Sequence, residues 1–447
     1  MRIMQVNSTD TGGGAARCAV TLHQAYRQRG HRSWLAVGTR RGDDPFVLPI
    51  AHNQASPLWQ RPFWRVEAWA AGRRTRAARW LRYLMLATVK PRRVADWYHG
   101  YEDFRFPNTA NLLELPGEAV DILHLHNLHG RYFDLRQLPN LTARTPTVLS
   151  LHDAWLMSGH CAHSLDCERW RDGCGHCPDL TLYPSILRDA TAENWRRKQA
   201  IYAASRFVAI APSNWLAERA ADSPLAAGLT DLRVIHHGVD RTVFSPGDRA
   251  AARNLLGLPQ QVHILLTVAN RVRSNPWKDF STAHQALAIV AQQKPSAPLL
   301  VLCVGDQAAE QTLGRVTIRY VPPIEKREIM ALYYQAADLY LNSSKIESFS
   351  LAILEALACG VPVVATAVGG TPEQITSWPE HDPYQANGML VAPGDASAMA
   401  QAIEALLANQ TLRQDLGRNA AKSVSDLSQQ VDSYLNYYEL YLRNWRR

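Results

Sequence analysis

The chain has 447 residues, 47% of them hydrophobic, which is material for more than one packed core and points to two domains. No run of about 18 uncharged apolar residues occurs, and the opening MRIMQVNSTD reads as a short strand entering a polar turn, so neither a membrane span nor a signal peptide is expected and a cytoplasmic protein is. The formal charge of +8 calls for an acidic partner, which leaves a phosphorylated substrate, an anionic lipid surface or nucleic acid.

The first predicted strand, RIMQV, runs into TGGGAAR, residues Thr11 to Arg17, followed by the helical stretch CAVTLHQAYRQRG. Glycines allow positive φ and a close approach to a ligand, and the helix behind them points its N–H groups at negative charge. The spacing is not G-x-G-x-x-G, so no nicotinamide fingerprint is present. After a second strand, SWLAVG, ten Arg or Lys stand against only Glu67 and Asp96 between Ser56 and Trp97, interleaved with Trp59, Trp64, Trp69, Trp80 and Trp97. Such a segment fits a lipid headgroup layer, or else a basic helical pair with its tryptophans packed inward.

DILHLH, TPTVLSLHD and RFVAIAPS complete the strands of the first half. In DILHLHNLHG, His124 and His126 share one face of a strand, a pattern that can mark a metal. Between the second and third of these strands lies HCAHSLDCERWRDGCGHCPDL, where Cys161, Cys167, Cys174 and Cys177 fall within 17 positions beside His160, His163 and His176. A reducing compartment disfavours disulfides; the four thiols fit either a structural zinc or unliganded cysteines, and the C-x5-C-x6-C-x2-C spacing is irregular for a zinc ribbon.

A domain boundary is expected near VIHHGVDRTVFSPGD, residues Val234 to Asp248, giving a first domain over 1–238 with a Cys-rich insert at 160–178. A second follows over 239–425, and a terminal amphipathic helix over 426–447. The second domain repeats the alternation with VHILLTVAN, PLLVLCVG, VTIRYV, DLYLNSS and VPVVATAVGG. Runs apolar on both faces, separated by helix-length segments, predict two doubly wound parallel α/β domains. Arg271 and Lys278 follow the first of these strands, where ligands of open α/β sheets bind, and two cations there suit a diphosphate. ESFSLAILEALACG predicts a helix opening at Ser348 to Ser350, with Glu347 before its N-terminus and Glu355 in its second turn. The two carboxylates are about 12 Å apart along the axis, comparable to the span of a nucleotide-sugar from ribose to sugar ring.

Together these features resemble the retaining glycosyltransferases of family four, of GT-B architecture: two Rossmann-like domains facing a cleft, with a C-terminal helix crossing back. The resemblance rests on TGGGAAR, APSNWLAERA, IHHGVDRTVFSP, the Arg271 and Lys278 loop, ESFSLAILE and ACGVPVVATAVGG. It implies that Glu347 contacts donor-sugar hydroxyls, Glu355 the ribose, and the Ser350 and Leu351 amides the diphosphate. Arg271 and Lys278 would neutralise that group, with Arg273 an alternative to Arg271, and Gly13 and Gly14 would approach it from the other domain. His152 is placed beside the reacting sugar, with Asp153 orienting the acceptor or capping a turn; His126 is a cleft residue, and His124 and His129 are structural or exposed. A similar insert, GHC followed by GCxxCP, marks a subset of bacterial polysaccharide transferases. The implied partners are a nucleotide-sugar donor and a glycan or polyprenyl-diphosphate-linked acceptor at the inner membrane face, with no catalytic cofactor and no nucleic acid. A nucleotide-sugar epimerase of the same fold and a zinc-dependent nucleic-acid-binding protein are the rival readings.

Overall fold

The computed structural model describes residues 1–50, 91–293 and 297–445. The basic, tryptophan-rich stretch is outside the described residues as far as residue 90, so Trp59, Trp64, Trp69, Trp80, Arg73, Arg74, Arg76 and Arg79 have no structural account; Trp97 is exposed in the helix Pro91–His99.

The chain divides into two compact units. One comprises Met1–Ala211, Leu216–Val234 and the chain from Leu435 onward; the other comprises Pro212–Trp215 and Ile235–Tyr434. The division at Val234/Ile235 falls a few residues before the expected Gly238. His236 and His237 pack their rings on Phe349, with centroids 5.1 and 5.9 Å away, which ties this stretch to the second unit.

The described residues of the first unit form seven strands: β1 (Arg2–Thr9), β2 (Arg32–Thr39), β3 (Val47–Pro49), β4 (Ile122–Leu125), β5 (Thr147–Ser150), β6 (Phe207–Ala211) and β7 (Leu229–Val234). All pair in parallel in the order β3-β2-β1-β4-β5-β6-β7. Central strands are buried end to end because helices cover both faces, which is why they read as unbroken apolar runs. The order reverses direction between β1 and β4, the place where ligands of open α/β sheets bind beyond the carboxyl ends of the strands.

The second unit has β8 (His263–Val268), β9 (Leu299–Val304), β10 (Gln311–Leu313), β11 (Val316–Val321), β12 (Leu339–Asn342), β13 (Val363–Thr366) and β14 (Gly388–Val391), in the order β10-β11-β9-β8-β12-β13-β14. Only the β10–β11 pair is antiparallel. Two apolar clusters lie on its two faces, one around Leu266, Tyr334 and Ile353, the other around Leu265, Leu287 and Met399. Here the reversal lies between β8 and β12, the strands that lead to Arg271 and to Glu347.

Strands β3, β7, β10 and β14 were not among the expected apolar runs; all four flank the sheets among the described residues, β3, β10 and β14 are three or four residues long, and β7 (LTDLRV) interleaves polar residues. The terminal helix Leu427–Trp445 begins in the second unit and ends in the first. In the first unit its Tyr438 hydroxyl lies 2.7 Å from His124 Nδ1 and 3.1 Å from the Tyr26 hydroxyl.

Candidate active site

In the second unit the loop after β8 and the loop after β12 meet through Lys278 and Glu347, which form an ion pair. Glu347 Oε1 also accepts from Ser344 Oγ at 3.0 Å and from Asn342 Nδ2 at 3.5 Å. Burial alone would raise the Glu347 carboxyl, but the Lys278 ammonium and these hydroxyl and amide donors outweigh it and hold the group below its ordinary value. The loops are pinned from behind: Ser343 Oγ donates to Lys278 O (2.8 Å) and Lys345 N–H to Trp277 O (2.8 Å). Gly370 N–H donates to Glu347 O (2.9 Å), and Gly369 (φ +55°) approaches that carbonyl so closely that a Cβ would stand 1.9 Å from it.

The helix Leu351–Ala358 follows Ser350, whose side chain makes no capping bond. Its first i−4 bond is Leu354 N–H to Ser350 O (3.2 Å), which leaves the Leu351, Ala352 and Ile353 amides at the head of the helix. The Ser350 amide differs from the sequence expectation: it already donates to Gln374 Oε1 (2.9 Å), while Gln374 Nε2 returns a bond to Ser350 O (2.9 Å). Of the expected amide pair, Leu351 is the one that Gln374 does not occupy. Glu355 sits one turn further on, 7% exposed, its Oε2 accepting from the buried Tyr334 hydroxyl at 2.9 Å.

The two arginines separate clearly. Arg273 is bound by Asp306 through backbone and guanidinium (3.1 and 3.2 Å) and donates to Gln307 O (3.1 Å). The Arg271 side chain is exposed and has no hydrogen bond or ion pair among the described residues, and its backbone is held in a left-handed turn (φ 54°) by a bond to Gly305 O (2.8 Å). The cation available to an anion at this strand end is Arg271.

In the first unit Gly12 and Gly13 follow β1 and are open on the side where a Cβ would project; Gly12 has φ +88°. The helix Gly14–Gln28 starts immediately after, and its first i−4 bond is Arg17 N–H to Gly13 O (3.1 Å). His126 and His152, which follow β4 and β5, lie together: His126 Nδ1 is 2.9 Å from His152 Nε2 and its other ring nitrogen 2.9 Å from Gln5 Oε1. Burial, with the neighbouring His126 adding to it, lowers His152 to about 3, so the ring is neutral at physiological pH. Asp153 bonds His129 Nε2 at 2.8 Å and caps Trp155 N–H at 3.0 Å. Burial would raise Asp153, yet His129 outweighs it and brings it to about 2. His124 is fully buried between Ser150 and Tyr438, a structural position, and the pair it forms with His126 is a ring contact at 4.1 Å.

Sequence reasoning missed Glu102 and Lys198. Lys198 is wholly buried, pairs with Glu102 (2.9 Å) and donates to Trp155 O (2.8 Å) and Ser158 O (2.9 Å), which fixes the segment following His152. The signal available was Asn194, Lys198 and Tyr202 at four-residue spacing on one face of the helix Thr191–Ala203.

The four cysteines of the insert are unpaired. Cys174 Sγ accepts from Gly159 N–H (3.3 Å), and Cys177 Sγ lies 3.4 Å from His160 Nε2. Burial pushes the Cys161 and Cys174 thiols up, to about 11 and about 12. Sulfurs of a tetrahedral zinc site stand about 3.8 Å apart, given Zn–S bonds of about 2.3 Å. Among the described residues no three ligand atoms of this segment lie within 4.8 Å of one another.

Residues 248–423, which carry Arg271, Lys278, Glu347 and Glu355, match the glycosyl transferases group 1 family. The chain carries a glycosyl transferases group 1 domain. It is 23% identical to the putative colanic acid biosynthesis glycosyl transferase WcaC of Escherichia coli strain K12, over 98% of this chain and 100% of that protein. It is 31% identical to D-inositol 3-phosphate glycosyltransferase 1 of Catenulispora acidiphila, over 67% of this chain and 66% of the relative. Among solved structures, sucrose-phosphate synthase from Thermosynechococcus elongatus matches with a TM-score of 0.61 at 19% identity, covering 98% of each chain. HepE of Anabaena, solved with UDP and glucose, matches at 0.60 and 18%, covering 98% of this chain and 99% of that one. These structural matches establish the GT-B fold for the transferase.

Proposed function

We propose that this transferase moves a sugar, with retention of anomeric configuration, from a nucleotide-sugar to a glycan or lipid-linked acceptor in bacterial surface polysaccharide synthesis. The observation that carries the reading is the Lys278–Glu347 pair at the strand reversal of the second unit, beside the free cation of Arg271 and the open amides that begin at Leu351. An ammonium has three donors. Lys278 keeps one on Glu347 and turns another to the diphosphate, while Glu347, held anionic, accepts from donor-sugar hydroxyls. Arg271 and the helix amides take the charge that develops as the diphosphate leaves. Loss of one such preorganised group costs about 3 kcal/mol, or on the order of a hundredfold in rate.

Neutral His152, its ring oriented by His126, offers a hydrogen bond to the reacting sugar, and the leaving phosphate oxygen takes the acceptor proton. Support for the donor class comes from HepE, solved with UDP and glucose, and support for polysaccharide synthesis from the relative named for colanic acid biosynthesis. Support for a lipid-linked acceptor at the membrane face is compositional: the tryptophan and arginine run between Ser56 and Trp97. No helix among the described residues is long and apolar enough to cross a membrane. The epimerase and nucleic-acid readings have no support in the comparisons.

Proton NMR of the product, recorded before the anomers equilibrate, tests the stereochemistry: the anomeric coupling of the donor is expected to persist, and an inverted one would end the retaining assignment.

A further inference from the structure

The helix Leu351–Ala358 has its head at the proposed donor loops, and its far end opens on a cavity of about 410 Å³. This cavity lies at the amino ends of β12 and β13, since Ala337 and Pro362 line it, on the opposite edge of the sheet from Lys278 and Glu347. Its volume is that of a small-molecule site. Five cationic residues line it, Arg241, Arg249, Arg413, Arg418 and Lys422, and none of the described residues that line it is a carboxylate.

Local partners leave much of this charge unanswered. Arg249 bonds Asp338 at 2.9 Å, but that carboxylate is shared with Arg253 at 2.8 Å and with Ile264 N–H at 2.8 Å. Arg418 pairs with Asp415, and the Arg241 guanidinium donates to the Ala421 carbonyl at 2.9 Å, with Asp426 the carboxylate that feels its charge. Lys422 is exposed with no partner among the described residues. Arg413, which lines the cavity, is 7% exposed, and its Nη1 is anchored on the Leu406 and Leu407 carbonyls at 2.6 and 3.0 Å, which fixes the orientation of the guanidinium. A buried, oriented guanidinium among four further cations is the chemistry that recognises phosphoryl oxygens, and an anion would relieve the repulsion the cations exert on one another.

We propose that this cavity is a second anion site of the transferase, taking a small molecule that carries a phosphate or diphosphate group, separate from the donor site. Isothermal calorimetry of the whole chain with inorganic diphosphate tests it. Two binding events are expected. Arg418→Ala/Lys422→Ala, both on exposed side chains, should weaken one event more than tenfold and leave the other, whereas Lys278→Ala should remove the other. Gln414→Glu, which adds a negative charge at the cavity rim, should reproduce the first effect. A single event lost with Lys278→Ala, a double variant that binds as the wild type does, or equal weakening of both events overturns the proposal. Flotation with phosphatidylglycerol vesicles separates the sources of phosphate: if the double variant loses vesicle binding while its diphosphate isotherm is unchanged, the cluster is a lipid-facing patch and the soluble-anion site is refuted.

Discussion

Arg271 and Arg273 are two residues apart, yet their surroundings differ enough to predict opposite phenotypes. Arg273 spends its guanidinium on Asp306 and Gln307, 33 and 34 residues away, so it holds two loops together; Arg271 is free to meet an anion. Arg271→Ala is expected to reduce turnover on the order of a hundredfold with little change in melting temperature. Arg273→Ala is expected to keep turnover within a few fold and to lower the melting temperature slightly, as the loss of an exposed ion pair does. Steady-state rates with thermal melts check both, and reversed outcomes would exchange their roles. The placement of Lys278, Glu347 and Arg271 was legible because each lies in the loop that follows an apolar strand. What local sequence could not reveal were the partners that qualify the site: Gln374 on the Ser350 amide, 24 residues distant, and Tyr334 on Glu355, 21 residues distant. Those bonds depend on which strands lie side by side, and no spacing within ESFSLAILE encodes that.

The element that presents Glu347 is a loop pressed against the turn after β13. Gly369 and Gly370 permit that approach, one through a left-handed backbone and the other by an N–H bond to the Glu347 carbonyl. Gly369→Ala would set a Cβ 1.9 Å from that carbonyl oxygen at a φ that costs an L-residue about 1–2 kcal/mol. The expected result is a large loss of turnover with a weakened apparent affinity for donor, and a far-UV spectrum like the wild type; unchanged kinetics would show that the loop accommodates the methyl and that its geometry does not matter. At this scale the sequence was most readable where strands are buried on both faces, as in LLVLCV and FVAIA. It was least readable at sheet margins such as β10, three residues long and largely exposed, which leaves no apolar run to see.

For the molecule as a whole, two parallel sheets with charged loops at their carboxyl ends were predictable from alternating apolar and amphipathic segments, and the exchange of the terminal helix from one unit to the other agrees with the expected crossing. Stability should carry an acid signature from the second unit. Burial alone would raise Asp338, but His263, Arg249, Ile264 N–H and Arg253 outweigh it and lower it from an ordinary 3.8 to about 2. A carboxyl depressed in the folded state contributes fully above its unfolded value and loses that contribution as pH falls through the folded one, and Glu347, also depressed, acts in the same direction. Asp338 alone therefore supplies about 2 kcal/mol that disappears between about pH 4 and pH 2. Urea unfolding followed across that range should show a steeper decline for the wild type than for Asp338→Asn; parallel declines would mean the carboxylate is not stabilised by its arginines.

The central claim is that the loops after β8 and β12 grip the diphosphate of a nucleotide-sugar. Thermal melts of the wild type and Lys278→Ala against UDP-, GDP- and ADP-sugars test it most directly, because a ligand that binds only the folded state raises the melting temperature. One donor is expected to stabilise the wild type by several degrees and the variant by much less, for a ligand at about a hundredfold its dissociation constant. Stabilisation of both proteins to the same extent, or of neither by any nucleotide-sugar at millimolar concentration, would contradict it.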